Sequence, residues 1–179
     1  MKFPVKVGLI FALIWIAVKM TALAFSFSLD NITVFVFINM FLLTTAIAYS
    51  LYMIKRKETE SNLLNDIKTG MLAGVPYTVL LSGFLYFYYQ NIYPEFNEKK
   101  KAEIAEKLEN PKLIKQIQQS APGMQNKTKA EIIKQQMQQA DSIYNAKFTM
   151  VVSLLALMVY STLNSLMIAI IYRRIVFRN

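Results

Sequence analysis

One charged side chain lies inside an otherwise apolar stretch near the start of the chain. Lys19 belongs to the run VKVGLIFALIWIAVKMTALAFSFS. A charge within a membrane-spanning helix costs free energy, so such residues mostly pair, line a pathway or reach an interface. Asn39 in the next apolar block and Ser82 in the third fall at a similar depth if the blocks pack side by side. We therefore predict a polar layer of Lys19, Asn39 and Ser82 in the outer half of a helical bundle.

Two interpretations of Lys19 stay open. The long stem of a lysine lets its ammonium group reach the headgroups from within a span, which would make Lys19 an ordinary membrane residue. Alternatively, Lys19 is part of a functional site. The apolar blocks contain no carboxylate to pair with it, which argues against a proton relay.

The usual parts of catalytic and metal sites are missing. The chain has no Cys and no His, which removes thiolate nucleophiles, imidazole bases and the metal sites built on them. The apolar blocks hold no pair of acids and no glycine-rich phosphate loop. We predict no catalytic residue, no cofactor, no metal ion and no enzyme activity.

The elements that carry these residues are four apolar blocks. Of 179 residues, 55% are hydrophobic, with a mean hydropathy of +0.33. A membrane helix needs about 20 apolar residues. Blocks of that length lie at about 5–27, 32–54, 70–92 and 148–172, and a polar segment lies at 93–147. We predict a single all-α membrane domain, 1–179: a four-helix transmembrane bundle with a helical insert between helices 3 and 4.

The first block also has features of a cleaved signal peptide. A basic start, an apolar core and Ala22-Leu23-Ala24 as a cleavage site would all fit. Against cleavage, the apolar run continues past Ala24, and only a short turn around 29–31 separates it from the second block. An antiparallel pair of spanning helices explains that spacing better.

Small residues repeat at every fourth position on the last two blocks. Such stripes allow close approach of helix backbones in membranes. The predicted packing residues are Gly70, Gly74, Thr78, Ser82, Ser153, Ser161 and Ser165.

Aromatic residues gather at the far end of the third block. Tyrosines at that depth are typical of an aromatic belt at the membrane interface. A cage that stacks on a ligand is the alternative. The predicted belt residues are Tyr86, Tyr88, Tyr89 and Tyr93.

The polar insert is helical by pattern. Pro94 is suited to start a helix, and Asn110-Pro111 ends it and starts another. A turn follows at 120–123, and Thr128 and Glu131 have the spacing of a capping box. Because no Gly or Pro lies between Thr128 and the fourth block, we predict one long helix running into the membrane.

The net charge of +9 is distributed around the apolar blocks. This favours the lipid bilayer as partner and argues against nucleic acid. The insert has ten lysines, which alternate with acids, and no arginine. Lys and Arg mark the cytoplasmic side, so both termini are predicted to be cytoplasmic and the insert extracytoplasmic. The basic residues on the predicted cytoplasmic side are Lys2, Lys6, Lys55, Arg56, Lys57, Lys68, Arg173, Arg174 and Arg178.

Three short motifs resemble a known family. They are Lys68-x-Gly70, Tyr89-x-x-x-Tyr93-Pro94-x-Phe96 and Tyr172-Arg173-Arg174. With the charged insert, they make the chain similar to the bacterial family called domain of unknown function 4199. The resemblance implies a four-pass protein of the inner membrane of Gram-negative bacteria. It implies no activity and no catalytic residue.

Two functions fit these observations. The first is a non-enzymatic membrane component that binds a protein partner or itself. The second is a small transporter or lipid-handling protein with a cavity lined by Lys19, Asn39 and the tyrosines. A closed interior favours the first, and a polar cavity reaching Lys19 favours the second.

Overall fold

A computed structural model describes residues 1–25, 32–57, 62–120, 123, 125 and 127–177. Within those ranges all regular structure is helical, which confirms the all-α class. The predicted turn at 29–31, and most of the one at 120–123, lie outside the described residues. The helices are α1 (Phe3–Ala24), α2 (Ile32–Lys55), α3 (Leu63–Phe87), α4 (Glu95–Glu109), α5 (Pro111–Ser120), α6 (Lys129–Ile143) and α7 (Ala146–Ile171). Short π-helical turns extend α3 over Tyr88–Ile92 and α7 over Tyr172–Val176.

In the part of the chain that the structure describes, four helical segments are long and apolar enough to cross a membrane. They are Phe3–Ala24, Ile32–Lys55, Leu63–Ile92 and Ala146–Val176, with mean hydropathies of 2.2, 2.0, 1.4 and 2.1. The chain is therefore a transmembrane protein by the length and composition of its helices. The third helix begins at Leu63, two turns before the predicted start of the apolar block near Gly70. The prediction followed hydrophobicity, and these first two turns are helical but largely polar.

The chain divides into two compact units. The bundle unit comprises Met1–Phe84 and Val151–Asn179, and the insert unit comprises Leu85–Met150.

Helix α1 of the bundle unit buries its small residues and Trp15, and it exposes several of its large aliphatic residues. On α1 the buried positions include Gly8, Ala12 and Trp15, whereas Ile10 and Leu13 are exposed. Hydrophobicity itself cannot orient a helix that is apolar on every side, because lipid is as apolar as a neighbouring helix. Close packing orients it instead, and small residues permit the closest approach.

Three glycines mark the closest helix contacts. A Cβ added to Gly8 would overlap the carbonyl oxygen of Ala73 and lie 2.9 Å from its carbonyl carbon. A Cβ on Gly70 would lie 2.8 Å from the Cβ of Ser165, and one on Gly74 would lie 2.9 Å from the Cβ of Ser161. The contacts join α1 to α3 and α3 to α7.

The insert unit has its own small apolar core. Leu108 of α4, Ile114 of α5 and Ile132 of α6 are buried together. Partly buried residues surround them: Ile104, Ile117, Ile133 and Met137. These three short helices therefore bury their apolar faces against one another.

Polar contacts define the ends of the insert helices. The predicted capping box is present: the Thr128 amide donates to Glu131 Oε2 at 2.8 Å, and the Glu131 amide donates to Thr128 Oγ1 at 3.4 Å. The Thr128 amide and hydroxyl both donate to the Glu131 carboxylate, and these two hydrogen bonds lower the pKa of that carboxyl. Between α4 and α6, Lys101 Nζ lies 3.1 Å from Asp141 Oδ1, and its hydrogen bond to Asp141 raises the pKa of Lys101.

The prediction of one long helix from Thr128 into the membrane is wrong. Helix α6 ends at Ile143, and α7 begins at Ala146. Asn145 causes the break: its Oδ1 accepts from the Phe148 amide at 2.8 Å, and its Nδ2 donates to the Ser142 carbonyl at 2.6 Å. The Asn145 side chain thereby binds a backbone carbonyl at the end of α6 and a backbone amide at the start of α7. Asparagine is favoured at such helix ends and disfavoured in helix interiors.

Candidate functional site

Lys19 is held inside the bundle unit. It is 3% exposed, and its Nζ lies 3.8 Å from the centroid of the Phe35 ring. Lys19 is on the last turns of α1 and Phe35 on the first turn of α2, so the ammonium crosses to the neighbouring helix. A cation on an aromatic face is stabilised by about 2 kcal/mol or more when desolvated. The Lys19 side chain thus lies against the aromatic ring of the neighbouring helix.

Trp15 positions the aromatic ring that Lys19 faces. Its indole Nε1 donates to the Phe35 carbonyl oxygen at 3.2 Å, and its ring packs edge-on against Phe84 at 6.2 Å. Trp15 lies four residues before Lys19 and so shares its helix face. Neither Trp15 nor Phe35 was predicted from the sequence as a neighbour of the Lys19 ammonium, although the shared face was a signal for Trp15.

Asn39 lies one helical turn after Phe35 and has a different partner. The Tyr77 hydroxyl donates to Asn39 Oδ1 at 2.6 Å, and both residues are buried. A buried tyrosine hydroxyl needs such an acceptor. Asn39 and Tyr77 thus form a polar link between α2 and α3. Tyr77 was not predicted from the sequence, because no residue spacing within α3 indicates a partner on α2.

Ser82 completes the set of predicted polar residues. It is 2% exposed, and its Oγ makes no hydrogen bond within the described part of the chain. The structure therefore buries Lys19, Asn39 and Ser82 in the bundle unit. It does not join them by hydrogen bonds: Asn39 binds Tyr77, and Lys19 faces Phe35.

The predicted packing residues lie mostly inside the bundle unit. Thr78, Ser161 and Ser165 are fully buried, and Ser153 is half-buried. The placement of Ser161 and Ser165 opposite glycines accounts for the close approach of α3 and α7.

The tyrosines around the end of α3 form an aromatic cluster in the insert unit. Tyr88 and Tyr89 are 0% and 8% exposed, and their ring centroids are 5.1 Å apart. The Tyr89 ring lies 5.2 Å from the Phe96 ring. Tyr86 and Tyr93 are half-buried, so of the four predicted belt residues these two have the greater access to an interface. The others contribute to packing.

A buried carboxylate at the opposite end of α3 joins three helices. Asp66 is 3% exposed, and its Oδ2 lies 3.0 Å from Lys55 Nζ and 2.7 Å from Arg173 Nε. Lys55 ends α2, Asp66 lies in the first turn of α3, and Arg173 follows α7. We name these three residues the charge clamp. It was not predicted from the sequence because Asp66 lies in a polar stretch that resembles a linker.

Within the described residues, no group of three or more His, Cys, Asp or Glu side chains is placed to hold a metal ion. The charge clamp brings one carboxylate together with two cations, an arrangement that offsets part of the positive charge and ties helix ends together.

Comparison with known protein families gives a match over most of the chain. A family model described as "Protein of unknown function (DUF4199)" matches residues 6–174. No curated protein and no solved structure matches the chain.

Proposed function

The chain belongs to the DUF4199 family of proteins of unknown function, and we propose that it is a non-enzymatic membrane component that binds a protein partner or a second copy of itself. The proposal includes no catalytic residue and no cofactor. The proposal starts from the four apolar helices of the described residues, which make the chain a transmembrane protein.

The closed interior of the bundle unit carries this proposal. Leu43, Ile47 and Leu81 have no exposed surface. Lys19 and Asn39, which would line a transport cavity, are 3% and 8% exposed. A cavity wide enough for a small solute would expose the side chains around it. The surfaces of the protein are therefore better candidates for function than its interior.

The insert unit offers a surface suited to a protein partner. A shallow groove on α6, of about 300 Å³, is lined by Gln135, Gln138, Gln139, Ser142 and Ile143. Uncharged polar and apolar groups cost less to desolvate than charges, and the centres of protein interfaces are depleted in charged residues. The insert is rich in lysine and glutamate, but the residues that line this groove are all uncharged.

Co-purification of cross-linked material from native membranes tests the role. We expect the full chain, isolated in nanodiscs, to carry a stoichiometric partner or to run as a dimer. The double substitution Gln138→Lys/Gln139→Glu leaves net charge unchanged and should reduce that association at least tenfold, since buried unpaired charges are costly. The control Glu106→Gln changes a charge on an exposed residue of α4 and should leave the association intact. Two results together would support the transporter instead: the chain is isolated as a monomer without a partner, and it supports a solute uptake that Lys19→Met abolishes.

We also propose that the protein lies in the bacterial inner membrane with both termini in the cytoplasm and the insert outside. The distribution of Lys and Arg supports this orientation. Because the chain has no Cys, single introduced cysteines report their side without background. In intact spheroplasts, a membrane-impermeant maleimide should label Gln125→Cys. Lys57→Cys should react only after lysis, and the reverse pattern would refute the orientation.

A further inference from the structure

An apolar groove runs along the outer face of the bundle unit, between the first turn of α1 and the first half of α3. It has a volume of about 670 Å³. Its walls include Val5, Lys68, Met71, Leu72, Pro76 and Val79. The lining of the groove is almost entirely apolar, and Lys68 contributes mainly the apolar stem of its side chain to the wall at one end.

The local sequence accounts for the groove. Gly8 lies against the backbone of Ala73, which draws α1 close to α3. Pro76 lies inside α3, has no amide hydrogen, and cannot donate to the Leu72 carbonyl as other residues would. Leu72 and Val79 remain 37% and 56% exposed, so the groove opens on the side that faces lipid.

The length of the groove matches one leaflet. Lys68 and Val79 are eleven positions apart on one helix, which corresponds to about 16 Å. Half of the hydrocarbon thickness of a bilayer is about 15 Å. A chain that starts at the level of Lys68 would therefore end near the bilayer centre at the level of Val79.

Charge is concentrated at the open end. Lys68 is exposed there, and Lys2, the residue just before α1 and three residues before the groove residue Val5, is exposed as well. Ammonium groups bind phosphate as point charges. The cationic end and the apolar trough together have the polarity of a phospholipid with a net negative headgroup.

From this arrangement we propose that the groove between α1 and α3 is a binding site for an anionic phospholipid. The phosphate lies at Lys68, and one acyl chain lies along Met71, Leu72 and Val79. The proposal is independent of the partner-binding role above.

Retention of lipid by the full chain tests the site. The protein is reconstituted in nanodiscs of phosphatidylcholine containing a minority of phosphatidylglycerol, then released and weighed by native mass spectrometry. We expect the wild type to retain phosphatidylglycerol, and Lys68→Gln to retain about fivefold less, the effect of one lysine near an anionic headgroup. Leu72→Trp fills the groove and should reduce retention while leaving Lys68 in place.

The matched control is Lys57→Gln. Lys57 is exposed, follows the end of α2 and does not line the groove. An equal loss with Lys57→Gln would show a general attraction of basic residues for anionic lipid and would overturn the proposal. The proposal would also be overturned if the wild type retained phosphatidylcholine as well as it retains phosphatidylglycerol, relative to the amount of each lipid in the nanodisc. Disulfide-linked dimers of Leu72→Cys would assign the groove to a second copy of the chain.

The wild type supplies a readout that does not depend on any variant folding. Phosphatidylglycerol added to the protein in detergent should raise its melting temperature more than phosphatidylcholine does, because a ligand that binds only the folded state stabilises it. Equal shifts with both lipids would count against the site.

Discussion

Alanine at position 8 is expected to destabilise the bundle unit by about 3 kcal/mol, at the upper end of the usual cost of overpacking. The added Cβ would overlap the Ala73 carbonyl oxygen and lie 2.9 Å from the carbonyl carbon. The obstacle is backbone, which cannot rotate away as a side chain can. Helices α1 and α3 would have to separate, and the loss is measured as a fall in stability to unfolding in detergent micelles.

Two other glycines provide the controls for Gly8→Ala. Gly83 lies on α3 with nothing within 4 Å of an added Cβ, so Gly83→Ala should be neutral or stabilise by up to about 1 kcal/mol. At Gly74 the obstacle is the side chain of Ser161. The loss from Gly74→Ala should therefore be largely restored by Ser161→Gly. Equal effects of alanine at positions 8 and 83 would contradict the close contact between α1 and α3.

Replacing Asp66 by asparagine is expected to cost about 3 kcal/mol of stability, the range found when one partner of a buried ion pair is removed. The asparagine side chain would be similar in size to the aspartate but neutral, so the cations of Lys55 and Arg173 would lose the carboxylate that lies between them. Lys55 is itself mostly buried, at 9% exposed. Repulsion between the cations should loosen the ends of α2, α3 and α7, which is measured by unfolding in micelles and by hydrogen exchange near Lys55.

The double variant Asp66→Asn/Lys55→Met tests whether the loss of stability in Asp66→Asn comes from repulsion between the two cations. Removing the more buried cation should restore part of the lost stability, because the remaining Arg173 is 34% exposed and can be hydrated. Glu103→Gln is the control: it removes one partner of an exposed ion pair with Lys100, and such pairs contribute little. If Asp66→Asn were as mild as Glu103→Gln, the charge clamp would have no structural role.

Helix caps were predictable because they depend on neighbours in sequence. Thr128 and Glu131 are three residues apart, and their reciprocal hydrogen bonds follow from that spacing. The cap at Asn145 is equally local, yet it was missed, because asparagine is a weaker helix terminator than glycine or proline and its capping bonds depend on its rotamer.

The polar layer shows the limit of the same reasoning. Burial of Asn39 followed from its position within an apolar block, whereas the position of Lys19 left two interpretations of its side chain open. The partners of the two side chains did not follow from the sequence, since Phe35 and Tyr77 are two among many aromatic residues that a helix pair can bring into register. Likewise, Asp66 looked like part of a polar connection until two distant helix ends met around it.

The sequence by itself determined the four apolar helices, the helical insert and the absence of Cys and His chemistry. Those features depend on composition, length and spacings within one turn of helix. Only the tertiary structure decided which face of each helix is inside, which partners Lys19, Asn39 and Asp66 have, and where a groove remains open. The physical reason is that a helix apolar on all sides carries little directional signal in lipid. Its orientation is set by close packing and by polar groups that distant segments bring together.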